Sequence, residues 1–300
     1  MSLRSARTPV VAVLLAMAVC GCATTAPDRP HYGGNPLPVW HPLTAYEVEA
    51  LKSRNAAARG DWRALLKLGL VASGAPRDVE ELRGLEASVV SFLRANGPSL
   101  RAIPQPASRG KRLLFLLHRD VFATVEGGQL GRYSAQQSQL SVVLQDGTYN
   151  CISSALLYLV LARALGLDAR GVKMPHHAFV EVRLADGRRI DVETTTQHGF
   201  GLRRDARWFA GQGRQWAAMR GLTTSSYRDY QRRQVVTPLR LVADNMYNQH
   251  TGPSRMAPAQ TRRLRELRGE LLPLRSDAQL YRLHALGFEH NEMHAAAESQ

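Results

Sequence analysis

Cysteine is almost absent from this chain of 300 residues: there are three, Cys20, Cys22 and Cys151, too few for a disulfide scaffold. The usual paired short spacings of zinc ligands are also missing, so a metal site built from Cys151, His176, His177 and His198 is not expected. No G-x-G-x-x-G, Walker lysine loop, G-x-S-x-G elbow or H-E-x-x-H occurs, which removes the signals for dinucleotide, triphosphate, serine-hydrolase and zincin chemistry. No cofactor is therefore expected. Acidic residues are in deficit, 25 against 39 Lys plus Arg for a net charge of +14, so an extended surface partner would be acidic. Charged residues make up only 21% of the chain and hydrophobic ones 44%, which excludes a wholly disordered polymer and leaves room for a substantial core.

What is present begins at the N-terminus. Residues 1–7 hold two arginines and no acid, residues 8–19 form a twelve-residue apolar run, and Val19-Cys20-Gly21-Cys22 follows it. The run is too short to span a bilayer comfortably, and the pattern resembles a bacterial lipoprotein signal with its lipobox. The resemblance implies that residues 1–21 are a signal peptide and that the sulfur of Cys22 is diacylated, anchoring the protein to a membrane. Ala23 in the next position resembles outer-membrane sorting where the host has two membranes. The expected location is thus the cell envelope, lipid-anchored, at the outer membrane and facing the periplasm. Nucleic acid is not an expected partner at that address, and acidic envelope polymers are the candidates for the basic surface. Cys151 becomes the only thiol of the exported body, with no partner for an internal disulfide.

Residues 22–43 are rich in Pro and Gly, lack any period, and read as a tether. A helical region is expected over 44–103. Thr44 and Glu47 form a capping-box pattern there, and residues 61–74 and 78–97 keep helical spacing, the second stretch opened by Asp78 and closed by Gly97. Beyond Pro104 and Pro106, residues 111–122 read as an apolar helix or strand, within a core domain placed at 104–200. Residues 201–300 are Arg-rich and expected to be mainly helical, with Arg262, Arg263, Arg265 and Arg268 on a solvated helix face.

Chemistry concentrates in residues 147–200. Cys151 directly precedes an almost continuous apolar run that ends at Gly166, which reads as a buried helix with Asn150 as N-cap and Cys151 in its first turn. Unpaired amides and the positive end of the helix dipole favour a nucleophilic sulfur at that position. Tyr149 and Asn150 are candidates to line a pocket, and the amide of Cys151 to bind an oxyanion. Further on, Ala178, Val180, Val182 and Leu184 alternate with His177, Phe179, Glu181 and Arg183 as in a strand, and Ile190 and Val192 alternate with polar neighbours in a return strand. A two-residue Asp186-Gly187 turn would pair apolar with charged positions. A three-residue turn of Ala185, Asp186 and Gly187 instead pairs Leu184 with Arg188 and Phe179 with Glu193, and brings Ile190 and Val192 beside Val182 and Val180. That register sets His177, Glu193 and Asp191 on one face, with Thr195 opposite His177 and Glu193 its diagonal neighbour. Glu193 is the preferred partner for the imidazole and Asp191 the alternative. His176 points to the opposite face, and His198, just past the return strand, would border the pocket.

Asn150-Cys151 before an apolar helix, then His177-Ala-Phe-Val-Glu181, a glycine turn and Ile190-Asp-Val-Glu-Thr194-Thr195 together resemble the core of the transglutaminase-like superfamily, relatives of papain-type cysteine proteases. The resemblance implies an α+β fold, a papain/transglutaminase-like core with a central helix packed on an antiparallel sheet and flanking helical regions. It also implies a triad with Cys151 as nucleophile and His177 as base. The family's aspartate falls on Glu193, so a glutamate stands in its place unless Asp191 takes the role. The implied activity is that of a thiol acyl-transferase or amide hydrolase on a peptide or protein substrate. The rival expectation is an inactive member of the same fold that binds or scaffolds.

Overall fold

Local helix signals dominate the first part of the chain. The computed structural model describes residues 44–73, 78–122, 133–175, 177–202, 204–211, 213–214 and 226–251. The expected signal peptide, Cys22, the tether, His176 and the arginines at 262–268 lie outside the described residues. Helix α1 (Ala45–Lys52) starts with a capping box in which Thr44 N–H donates to Glu47 Oε2 at 2.7 Å and Glu47 N–H donates to Thr44 Oγ1. Helices α2 (Arg54–Arg59), α3 (Trp62–Val71), α4 (Val79–Arg101), α5 (Pro106–Asp120) and α6 (Leu140–Asp146) follow, with Asp61 and Asp78 capping α3 and α4.

Gly97 does not close α4, which runs on to Arg101 with Pro98 inside it. Leu93, Gly97 and Leu100 continue the buried stripe of Leu82, Leu85 and Val89, so packing carries the helix past two residues of low propensity. Residues 111–122 are helical rather than extended as far as Asp120, since Gly110, Leu113, Leu114, Leu117 and His118 fall on one buried stripe.

Helix α7 (Cys151–Ala164) is buried from Ile152 to Ala162, as suits a helix that is apolar all round. It packs on a four-stranded antiparallel sheet of order β3-β2-β1-β4, formed by β1 (Asp168–Met174), β2 (His177–Arg183), β3 (Arg189–Val192) and β4 (Gln234–Val236). The β2–β3 register pairs Val180 with Val192, Glu181 with Asp191 and Val182 with Ile190, and Leu184 N–H donates to Arg188 O at 2.8 Å. This is the register of the three-residue turn, with Gly187 at φ 83°. Strand β4 lies in a region expected to be mainly helical. Three residues are too few to show alternation, and pairing with the open edge of β1 supplies what local pattern does not.

Both sheet faces are covered. Ala178, Val180, Val182 and Val192 face α7 in a core that extends from Tyr46 through α3 and α4 to Met246 in the last described helix, α10 (Pro238–Thr251). Val172, Met174 and Phe179 face the other way, against Phe209 of α8 (Ala206–Ala210), with Trp208 beside it and Tyr227 and Tyr230 of α9 (Tyr227–Gln231). The fold is α+β. Among the described residues no helix is long and apolar enough to cross a membrane.

Candidate active site

The site forms where the start of α7 meets the start of β2. Asn150, extended at φ −127° and ψ −170°, caps the helix: its Oδ1 accepts from Ile152 N–H at 3.1 Å and Ser153 N–H at 3.0 Å. Ser153 Oγ accepts from Asn150 N–H in return, and Ser154 N–H donates to Asn150 O. Of the first four amides of α7, that of Cys151 is left without a partner among the described residues. The half-buried Cys151 is a free thiol, and it interacts electrostatically with the His177 imidazole, favouring the ring's protonated form.

The other side of that imidazole is equally committed. His177 Nε2 donates to Glu193 Oε2 at 2.6 Å, which leaves Nδ1 as the ring nitrogen for the sulfur. All of Glu193's carboxylate is engaged: Oε2 also accepts from Arg204 Nη2 at 2.9 Å, and Oε1 accepts from Thr195 Oγ1 at 2.7 Å and Thr195 N–H at 3.3 Å. The strand ladder ends at Val192 rather than running on to a Thr195–His177 pair. The chain turns back so that Glu193 N–H donates to Gly199 O at 2.9 Å, and a Cβ at Gly199 would lie 2.0 Å from Glu193 O. That tight loop folds the longer acid back onto the ring.

Electrostatics follow from this geometry. Burial alone would push the His177 imidazole down, but the Glu193 carboxylate, its hydrogen bond to the ring and Cys151 outweigh it, and the group is pushed up to about 9. Burial likewise opposes ionisation of Glu193, yet His177, Arg204 and Thr195 hold its carboxyl well below the usual range. The histidine thus keeps a proton through neutral pH beside an ionised acid.

The remaining candidates sit elsewhere. Asp191 accepts from Tyr230 Oη at 2.5 Å, on the same sheet face but turned to α9. Asn150, a candidate pocket residue, spends both side-chain N–H groups on Ala135 O and Ser138 Oγ, so it serves the cap and the preceding loop. Tyr149 is 1% exposed, in ring contact with Phe122, Tyr133 and His118, and its hydroxyl donates to Thr195 O at 3.3 Å. It supports the acid-bearing loop from behind, because the turn into α7 directs the ring to the core. His198 is exposed and meets Gln197. Among the described residues no group of three or more His, Cys, Asp or Glu gathers to hold a metal ion.

Several site residues carry no usable sequence signal. Arg204 is one of 39 Lys plus Arg, and nothing near it in the chain sets it apart. His118 donates to Thr194 O at 2.9 Å from α5, and Ser154 Oγ meets Thr194 Oγ1 at 2.8 Å, so two helices brace the acid's neighbour. Thr195 alone had a local hint, two residues after the acid.

No curated protein matches the chain. A solved structure similar to it is the crystal structure of menin, described as revealing the binding site for Mixed Lineage Leukemia (MLL) protein, at 15% identity and a TM-score of 0.46, covering 80% of this chain and 52% of that one. The chain therefore spans about half the length of that protein. The family model described as the transglutaminase-like superfamily matches residues 99–198, a stretch that contains Cys151, His177 and Glu193. Residues 99–198 are a transglutaminase-like superfamily domain.

Proposed function

We propose that this domain is a thiol acyl-transferase or amide hydrolase of the transglutaminase-like cysteine peptidase type, acting on a peptide or protein. The observation that supports the reading is one imidazole that bonds the Glu193 carboxylate at 2.6 Å and interacts electrostatically with Cys151. His177 already holds the proton on Nδ1, and Cys151 Sγ attacks the acyl carbon as the ion-paired thiolate. The carbonyl electrons move to the oxygen, which accepts from the Cys151 N–H at the start of α7. Collapse expels the amine, which takes the proton from His177, and leaves a thioester. Water or a second amine then displaces the thiol through the same histidine. Glu193 keeps the ring in the tautomer and orientation that serve both steps.

The location belongs to the same proposal: a lipid on Cys22 anchors the body to the envelope, facing the periplasm, where substrate and acidic polymers meet it. The mass of the mature N-terminal peptide tests that part.

The catalytic reading is tested by alkylating the full-length protein with iodoacetamide between pH 5 and 9 and following Cys151 by mass spectrometry, in the wild type and in His177→Ala. A sulfur ion-paired with imidazolium reacts at pH 6 nearly as fast as at pH 8, whereas a lone thiol slows about tenfold per pH unit below its ordinary pKa of about 8.5. The first profile is expected for the wild type and the second for His177→Ala. Identical profiles would replace the enzyme with a binding or scaffolding protein.

A further inference from the structure

Arg204 is the residue of this site that the chemistry above leaves unexplained. Its side chain is 1% exposed, and its guanidinium lies 4.1 Å from the centroid of Phe179, with Tyr230 at 5.8 Å and Trp208 at 6.0 Å. Its Nε has no partner among the described residues. Desolvating a cation and leaving one of its donors idle is unfavourable, so apolar packing is a poor reason for an arginine here. What it does bond is Glu193 Oε2, the same oxygen that accepts the proton of His177.

We propose that Arg204 is a positioning residue that clamps the Glu193 carboxylate against His177 and, by sharing Oε2 with the imidazole, limits how tightly the ring keeps its proton. The proposal rests on the reading of Cys151, His177 and Glu193 as a triad. An aspartate at this place would be held by its short side chain. A glutamate has one more rotatable bond, and the guanidinium on one oxygen with Thr195 on the other removes that freedom. The rings of Phe179 and Tyr230 in turn hold the guanidinium.

The second consequence is electrostatic. Arg204 Nη2 and His177 Nε2 contact one oxygen and so are separated by no more than the sum of the two bond lengths. Among the described residues the other groups on this face of the sheet include Arg170 of β1, Phe179, Glu181 and Arg183 of β2, Arg189 and Asp191 of β3, Thr195 after β3, and Tyr230 with Arg233 over its ring from α9, while Cys151 approaches the ring from the start of α7. Glu181 is paired at longer range with Arg189, and Asp191 is turned to Tyr230. Among the described residues Arg204 is therefore the cation that shares the imidazolium's own counter-ion. A like charge at that separation, with an effective dielectric constant of about 20, displaces a titration by about two pH units. Removing it should let His177 hold its proton to higher pH.

The experiment is a pH titration of the His177 ring by NMR in full-length protein labelled with ¹⁵N-histidine, the resonance being assigned by its loss in His177→Ala. Arg204→Met is expected to raise the midpoint by about one to two pH units, and Arg204→Lys to leave it within about half a unit because the charge remains. Where Arg204→Met does not fold, Arg204→Gln, which keeps a donor for Oε2, reads the same loss of charge. An unshifted midpoint in a folded neutral variant overturns the proposal. So does a requirement for charge so strict that only Arg204→Lys folds, since Arg204 then serves the fold. The two failures are separable: a wild-type alkylation profile in His177→Ala removes the triad, whereas a changed profile there with unshifted Arg204 variants removes only the role of Arg204.

Discussion

Replacing Glu193 by Gln keeps its shape and removes its charge, and the site predicts both the size and the pH dependence of the outcome. The carboxylate is 3% exposed and has two cationic partners, His177 and Arg204, themselves 8% and 1% exposed. Leaving a buried guanidinium without its anion costs about 3–5 kcal/mol. The histidine adds a part that depends on pH. Its folded value of about 9 lies above the unfolded 6.5, so its contribution is fully present below pH 6.5 and disappears as pH rises through 9. At 1.36 kcal/mol per unit that contribution is about 3 kcal/mol. In Glu193→Gln burial acts on the imidazole with only Cys151 left to oppose it, so the variant loses most of this term. Urea unfolding of both full-length proteins at pH 6, 7.5 and 9.5 should therefore show a stability gap that is largest at pH 6 and narrower by up to about 3 kcal/mol at pH 9.5. A gap that stays constant with pH would refute the claim that Glu193 holds the proton on His177.

Asp191→Asn should spare the site. Its Oδ1 can still accept from Tyr230, so stability should fall by less than about 1 kcal/mol and the alkylation profile of Cys151 should match the wild type; a profile like that of His177→Ala would transfer the orienting role to Asp191. Gly199→Ala should act on the acid through the backbone, since its Cβ would lie 2.0 Å from Glu193 O and 2.7 Å from Glu193 Cβ. A loss of about 1–3 kcal/mol in urea unfolding, together with slower alkylation of Cys151 at pH 6, is expected. Wild-type values for both would contradict the close approach of the 193–199 loop.

Much of the site was legible because its signals are local. Asn150 followed by an apolar run marks a helix start whatever surrounds it, since the cap is made within three residues. The β2–β3 register was legible for a related reason: with side chains alternating between faces, one turn length alone keeps Val180, Val182, Ile190 and Val192 together. The separation of Glu193 from Asp191 follows from the same pairing, although the ladder stops at Val192 and the acid reaches the ring from a loop rather than a strand. Where local reasoning misled, long-range packing had overruled it. Gly97 and Pro98 look like a helix end until the buried stripe through Leu100 is seen, and Tyr149 looks like a pocket wall until Phe122 and His118 are found against it.

By itself the order of residues determined which side chains could carry the chemistry, because a helix cap and a period of two act over a handful of neighbours. Only the tertiary structure decided what surrounds the acid. Arg204, His118 and Tyr149 come to the 193–195 segment from three other parts of the chain. Nothing in an arginine's immediate neighbours says which carboxylate it will meet, since that is settled by the folding of α8 and α9 over the outer face of the sheet.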